Sequence, residues 1–298
     1  MVKILITGSE GFIGRHLVKR LRKVNEFQVF TIDSKGKGLN HYSYNLSSAE
    51  AKEKILSLSP EVIIHLAGHI DVSGSMSSPA KSLADNAIIG LEIIQMANVL
   101  GSVNIIYMNS GGATYKETND LPYTEESLIE PSSPYGVSKQ VVEDVLKVSA
   151  KLYGYSWTSL ALSNCFGNLY EDQVGVVSRF NQHFRERTSP TIYGVNSSRD
   201  FVHIDDVIEA ILFAIERPAN RRVNISSNIE YNLLQLFECM SCQVESQVKP
   251  KIVPPRPGEV LRSRLDNTLA LQLWGWKPKQ ELFEVLKGLS VKSINDKF

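Results

Sequence analysis

Tyr135 and Lys139 open and close the segment Tyr135-Gly-Val-Ser-Lys139. On a helix, residues four apart share one face. That spacing could do proton chemistry. A free phenol titrates at about 10 and is a poor base at neutral pH, and an ammonium alongside favours the phenolate and lowers that value. A second feature lies about 120 residues earlier, the turn Gly8-Ser-Glu-Gly11-Phe-Ile-Gly14. Each feature alone is common by chance. Together, in this order, they describe a turn that holds a dinucleotide and a tyrosine that moves a proton while a nicotinamide moves a hydride.

The context of the turn supports this reading. An apolar run over residues 2–7 leads into it, and a helical pattern over 12–23 follows. Gly8 permits the tight turn, Gly11 lets the backbone approach a pyrophosphate, and Gly14 lets the helix pack close to the sheet. The N–H groups at the helix start, with Phe12 and Ile13 in its first turn, then face the phosphates. The spacing is G-x-x-G-x-x-G rather than G-x-G-x-x-G. Asp33 follows Gly14 by 19 residues, at the end of the next apolar run. A carboxylate there accepts the ribose hydroxyls of NAD and repels the 2′-phosphate of NADP. Lys35 and Lys37 soften that repulsion, and NAD is favoured over NADP.

The elements that must position these residues alternate. Residues 2–7, 28–32, 62–66 and 104–108 read as strands, and 12–23, 49–58 and 79–100 as helices. Continuous apolar strands alternating with helices imply parallel strands buried on both faces. A helix is expected over 134–153, opened by Ser132-Ser-Pro134, then a strand near 157–162. After Gly167 the pattern loosens, with helices expected over 174–187, 205–216, 232–240 and 265–273 and a strand over 223–225. The Pro-rich stretch 250–258 cannot continue a helix or a central strand.

Composition narrows the class. Lys+Arg and Asp+Glu are 32 each, and no charge block points to nucleic acid or an anionic membrane. No apolar run reaches the roughly 18–20 residues that span a bilayer, and Met1 runs straight into the first strand. Three cysteines show no disulfide framework, which favours a reduced, cytoplasmic setting. Cys239 and Cys242 form a C-x-x-C on an amphipathic helical pattern with no second ligand pair nearby, so packing is favoured over metal or redox use. His65, His69, His183 and His203 share no ligand spacing, and no metal site is expected.

Further segments carry a family likeness: Ile6-Thr-Gly-Ser-Glu-Gly-Phe-Ile-Gly14, His65-Leu-Ala-Gly68, Ser110-Gly-Gly112, Tyr135-Gly-Val-Ser-Lys139, Asn164-Cys-Phe-Gly167, Arg199-Asp-Phe-Val-His-Ile-Asp-Asp206 and Arg256-Pro-Gly-Glu259. The chain resembles an extended short-chain dehydrogenase/reductase of the sugar-nucleotide epimerase/dehydratase type over nearly its whole length. The resemblance implies an α/β fold, a Rossmann-type doubly wound parallel sheet over 1–166 that takes contributions from later segments. A smaller, mainly substrate-binding lobe would occupy 167–298. It also implies NAD as cofactor and a homodimer built on the helices at 79–100 and 134–153, with Leu83, Ile94, Val141 and Val145 as apolar positions.

Roles follow by position. Ser110 would share a proton with the sugar 4-oxygen, Tyr135 would be base and acid, and Lys139 would stand beside it and hold the nicotinamide ribose. Leu66, Ala67 and Gly68 would pass under the cofactor, Asn45 and Leu46 would meet the adenine, and Asn109 would add a cofactor contact. Asn164, Arg199 and Arg256 would hold the substrate diphosphate or nucleoside, Glu259 its ribose, and Ser263 would line the pocket near the hexose C2 substituent. Three departures stand out. The hydroxyl lies five residues before Tyr115 where many relatives have four, leaving Thr114 as a rival to Ser110. Ala87 replaces an Asn usual three residues before Gly90, with Asn86 adjacent. Ala161 replaces an Arg often found three residues before Asn164.

The implied reaction is NAD-dependent epimerisation at C4 of a nucleotide-activated hexose, of the UDP-glucose or UDP-GlcNAc type, through a transient 4-keto intermediate. Such an enzyme belongs to carbohydrate metabolism and polysaccharide biosynthesis. Dehydratases of this type carry an Asp-Glu pair after the hydroxyl residue. Here Gly111-Gly112 fills that place, which counts against dehydration. A 4-ketoreductase of a nucleotide-activated deoxy-sugar is the alternative, and a cofactor-binding protein without chemistry the remote one.

Overall fold

The computed structural model describes residues 1–167, 175–256 and 258–287. Pro257 and the first residue of the helix expected over 174–187 lie outside them. The chain begins with β1 (Val2–Thr7), α1 (Phe12–Leu21), β2 (Phe27–Asp33), β3 (His41–Ser43), α2 (Ala49–Leu58) and β4 (Val62–His65). Next come α3 (Val72–Ser77), α4 (Pro79–Ser82), a π-helical segment (Leu83–Ile88), α5 (Ile89–Leu100), β5 (Asn104–Ser110), α6 (Gly111–Thr114), α7 (Pro134–Tyr153), β6 (Ser156–Leu162) and β7 (Asn164–Phe166). The remainder is α8 (Val176–Glu186), β8 (Thr191–Tyr193), β9 (Ser198–His203), α9 (Ile204–Glu216), β10 (Arg221–Ile225), β11 (Glu230–Asn232), α10 (Leu233–Gln243), β12 (Lys251–Val253), α11 (Thr268–Trp274) and α12 (Leu282–Leu286).

The central sheet has seven strands in the order β3-β2-β1-β4-β5-β6-β10, and every pairing is parallel. Its inner strands are largely apolar because both faces are covered. Side chains alternate between the faces with the strand period of two. Ile4 and Ile6 of β1 join a core with Leu17 and Leu21 of α1, Val207 and Ile211 of α9 and Trp274 of α11. Leu5 between them joins the opposite core, with Ile55 of α2, Ile93 of α5 and Leu146 of α7. Ile63 and Ile64, and Ile105 and Ile106, divide in the same way. The fold is therefore the expected Rossmann-type sheet.

A smaller sheet, β11-β9-β7, packs with α8, α10 and α12 around a third core rich in Phe166, Phe180, Phe201, Tyr231 and Phe237. β8 and β12 pair as a separate two-stranded ribbon, so the Pro-rich stretch supplies one short strand. β10 and α9 belong to the main sheet and its cover, so the chain crosses between the two layers more than once.

Some elements differ from expectation. The helix expected over 265–273 begins at Thr268, because Leu265 is extended and bridges Tyr123. Residues 79–100 form one continuous helical stretch, and it is long and apolar enough by composition to cross a membrane. The expectation drawn from apolar runs is corrected to that extent, because the polar residues within the stretch are too few to bring its mean hydropathy below that of a spanning helix. Of the four apolar positions expected at an intersubunit face, Ile94 is only 3% exposed and belongs to the core, and Val141 packs against that core. Leu83 and Val145 are exposed. Cys239 and Cys242 lie on α10 as free thiols, and Cys165 is also free.

Candidate active site

The connection after β1 runs to one face of the sheet and the helices after β4 to the other, so a crevice opens beyond the C-terminal ends of these neighbouring strands. The Gly turn forms its floor. Gly8 has φ +72, and a Cβ there would come within 2.5 Å of the Ala67 nitrogen. A Cβ on Gly14 would lie 2.3 Å from the Gly8 carbonyl oxygen. Only glycine allows turn, strand and helix to approach this closely. Gly11 caps α1 with no side-chain hydrogen bond, which leaves the first-turn N–H groups, around Phe12 and Ile13, for a ligand. Leu66 and Ala67 lie beside the turn, their N–H groups donating to the Thr7 carbonyl (3.1 Å) and the Thr7 hydroxyl (3.4 Å), and Gly68 follows. At the end of β2 the Asp33 carboxylate accepts from the Glu10 N–H at 3.0 Å, which holds it against the turn. Leu46 is buried in the core, whereas Asn45 is exposed and caps its own turn by accepting from the Ser47 N–H. A dinucleotide fits this arrangement: N–H donors for its phosphates, a fixed carboxylate for a ribose, and no Cβ where it would approach the backbone.

Across the crevice, α7 presents the proton chemistry. Ser133 caps the helix by accepting from the Gly136 N–H, Pro134 occupies its first position, and Gly154 ends it in the left-handed conformation. Tyr135 and Lys139 lie on its buried face, 6% and 9% exposed. Lys139 Nζ sits 4.7 Å over the Tyr107 ring, and the Tyr107 hydroxyl donates to the Lys139 carbonyl. Burial lowers the Lys139 ammonium to about 8. Burial also raises the Tyr135 phenol to about 12, opposed by a hydrogen bond with the Ser110 side chain. This reverses the direction expected from the lysine, because the loss of solvent around the phenol is the larger effect. Ser110 ends β5. Thr114 is fully buried and donates to the Ser110 carbonyl at 2.8 Å, so Ser110, not Thr114, meets Tyr135.

Of the residues expected to meet the substrate, Arg199, Arg256 and Glu259 form a second group. Glu259 is bracketed by two arginines: Arg199 Nη2 donates to it at 3.2 Å, and Arg256 donates through Nε at 3.0 Å and Nη2 at 2.7 Å. Arg256 also stacks 3.8 Å over the Tyr193 ring. Asn164 is in β7, paired in register with Phe201 of β9. Ser263 is 1% exposed with no hydrogen-bond partner for its hydroxyl, and it lies 3.3 Å from where a Cβ on Gly112 would stand.

Further buried polar residues support the site, and of these Asn109 had been expected to contact the cofactor. Asp200, fully buried, accepts from Ser227, Asn228 and Leu265 and so ties β9 to the segment that carries Ser263. Asn86, in the π-helical segment, accepts from the His69 N–H at 2.9 Å and holds the loop after β4. Asn109 spends its amide inside the protein, on Glu143 and on the Ser110 N–H. Glu143 follows Lys139 by one helical turn, but nothing in that spacing marks it as buried. Its buried partner Arg222 comes from β10, too far along the chain for any pattern to pair them.

Known proteins resemble this chain in sequence and fold. The UDP-glucose 4-epimerase of Mycolicibacterium smegmatis is 30% identical over 304 residues, which cover 95% of this chain and 96% of that protein. The solved structure of the Thermotoga maritima UDP-glucose 4-epimerase with UDP-glucose superposes with a TM-score of 0.89 at 33% identity, covering 99% of each chain. That of the Thermus thermophilus UDP-glucose 4-epimerase in complex with NAD gives 0.89 at 26% identity over 100% of each. Residues 4–229 match the family model for the NAD dependent epimerase/dehydratase family, and with a crevice built for a dinucleotide and a tyrosine–lysine pair facing it, the chain belongs to that family.

Proposed function

We propose that this enzyme inverts C4 of a UDP-hexose through a 4-keto intermediate. One observation carries the reading: Ser110 ends β5 with its side chain close enough to Tyr135 to favour the phenolate, and it is followed by Gly111-Gly112, with no carboxylate there to eliminate water from the sugar. When bound, NAD supplies the hydride acceptor and donor. The proton is handled by the chain's own residues. The Ser110 hydrogen bond favours the phenolate of Tyr135 that takes the proton from the sugar 4-hydroxyl. Burial favours the protonated phenol that returns it. Lys139 supplies positive charge on the same helix face. Arg199, Arg256 and Glu259 are grouped where they can grip the nucleotide diphosphate and ribose while the hexose turns. The small Ser263 beside Gly112 supports acceptance of an N-acetylated hexose as well as glucose.

A homodimer is supported by exposed apolar residues on α7 and the neighbouring π-helical segment. Three free thiols support a cytoplasmic setting.

The test is interconversion of UDP-glucose with UDP-galactose, and of UDP-GlcNAc with UDP-GalNAc, followed by NMR without added cofactor. Tyr135→Phe serves as control. Expected are turnover by wild type and a loss of about 10²- to 10⁴-fold in the variant. Absence of interconversion, with consumption of NADPH against a 4-keto sugar instead, would make the enzyme a ketoreductase.

A further inference from the structure

Behind Ser110 lies a buried polar unit built on an ion pair. Arg222 of β10 and Glu143 of α7 form an ion pair, Nε to the two carboxylate oxygens at 2.9 and 3.1 Å, with both side chains nearly buried. Glu143 also accepts from Ser159 of β6 and from the Asn109 amide at 2.7 Å. Asn109 in turn accepts from the Ser110 N–H at 2.8 Å. On the other side Arg222 reaches Gln140 at 2.5 Å and the Thr114 hydroxyl at 3.4 Å. Thr114 donates to the Ser110 carbonyl at 2.8 Å. Both backbone groups of Ser110 are therefore held by side chains that lead back to one ion pair.

A buried ion pair contributes little net stability, because desolvating two charges offsets their attraction. What this one does provide is direction. It fixes Asn109 and Thr114, and they fix the peptide groups on either side of the Ser110 α-carbon. We infer that Asn109, Glu143 and Arg222 are positioning residues that aim the Ser110 hydroxyl at Tyr135. The inference rests on the reading of Ser110 as the hydroxyl that shares a proton with the substrate. None of the three is a catalytic residue, since each acts through Ser110. Small displacements of a reacting group are costly, about 10²-fold for 1 Å, so the effect belongs in turnover and not in binding.

The experiment compares wild type with Asn109→Ala, with the charge-neutral pair Glu143→Gln/Arg222→Gln, and with Ser110→Ala. Bound NAD, melting temperature, KM and the pH dependence of kcat are measured on each full-length enzyme. For Asn109→Ala, NAD content and KM are expected within about twofold of wild type. Its kcat should fall about 10- to 100-fold. The acid limb of its pH profile should move to higher pH, because a misdirected Ser110 no longer favours the phenolate. The neutral pair should give the same pattern. A kcat within threefold of wild type, or a loss equal at every pH with KM rising alongside, would overturn the inference. If Asn109→Ala loses its melting transition, the neutral pair decides alone by the same criteria. Near wild-type turnover by Ser110→Ala would instead remove the underlying reading of Ser110, whereas a crippled Ser110→Ala beside an active Asn109→Ala would remove only the positioning.

Discussion

Lys139 is asked to carry positive charge in a place that disfavours it. Burial lowers its ammonium from 10.5 to about 8. Below pH 8 both the folded and the unfolded chain hold the proton, and the folded chain bears the cost of burying it. Between about 8 and 10.5 the unfolded chain holds more protons than the folded one, so stability from this group rises with pH. Above 10.5 the cost is gone. The lowering corresponds to about 3 kcal/mol. Lys139→Met, close in shape, is therefore expected to be more stable than wild type at pH 7, with the difference shrinking by pH 10. Urea midpoints of both proteins at the two pH values measure this. A Met variant less stable at pH 7 would show that the contact with the Tyr107 ring outweighs desolvation. At this scale the sequence is legible where chemistry needs a fixed spacing. Tyr135 and Lys139 are readable as i and i+4, but Glu143, one turn further, is not. A glutamate on a helix is ordinarily solvated, and what buries this one is an arginine 79 positions away.

The elements that present these residues were readable for a different reason. Strands buried on both faces have few polar interruptions, and α7 carries its own boundary signals in Ser133, Pro134 and Gly154. The second lobe was less readable because its strands are three to six residues long and pair across the chain. The π-helical segment was not readable at all. Its wider turn takes up one extra residue, and Asn86, not Ala87, is the side chain held against the loop after β4. The Gly turn gives a test in which two physical effects oppose each other. Gly14 lies in the first turn of α1, where alanine is favoured by up to about 1 kcal/mol. Its Cβ, however, would stand 2.3 Å from a backbone oxygen that cannot rotate away. Overpacking of this kind costs about 1–3 kcal/mol. The clash should win: Gly14→Ala is expected to melt lower and to bind NAD at least tenfold more weakly, as the turn shifts away from the phosphates. Calorimetric titration of stripped protein measures the second effect. A variant that melts higher and binds NAD like wild type would mean the turn is not the phosphate site.

For the whole molecule, the open question is what covers the outer face of α7. Val137, Val145, Val148 and Leu152 are 41%, 37%, 58% and 73% exposed, and their spacings of eight, three and four place them on one helical stripe. Leu83 and Ile88, 37% and 50% exposed, stand on the π-helical segment that packs beside α7. The inner face of the same helix carries Tyr135, Lys139, Val142 and Leu146. One helix thus serves the site on one side and presents a contiguous apolar strip on the other. Such a strip is costly in water and marks an association surface. We propose a second copy of the chain as its cover, because a two-fold axis across α7 would lay the strip on itself. Wild type should therefore scatter light as about twice 33.3 kDa at micromolar concentration. Val148→Lys combined with Leu152→Lys should scatter as a single chain, since like charges would meet across the axis. Both substituted positions are on the solvent side, so NAD binding should survive. A wild-type monomer at micromolar concentration would sink the dimer. A lysine variant that still scatters as two chains would place the interface elsewhere.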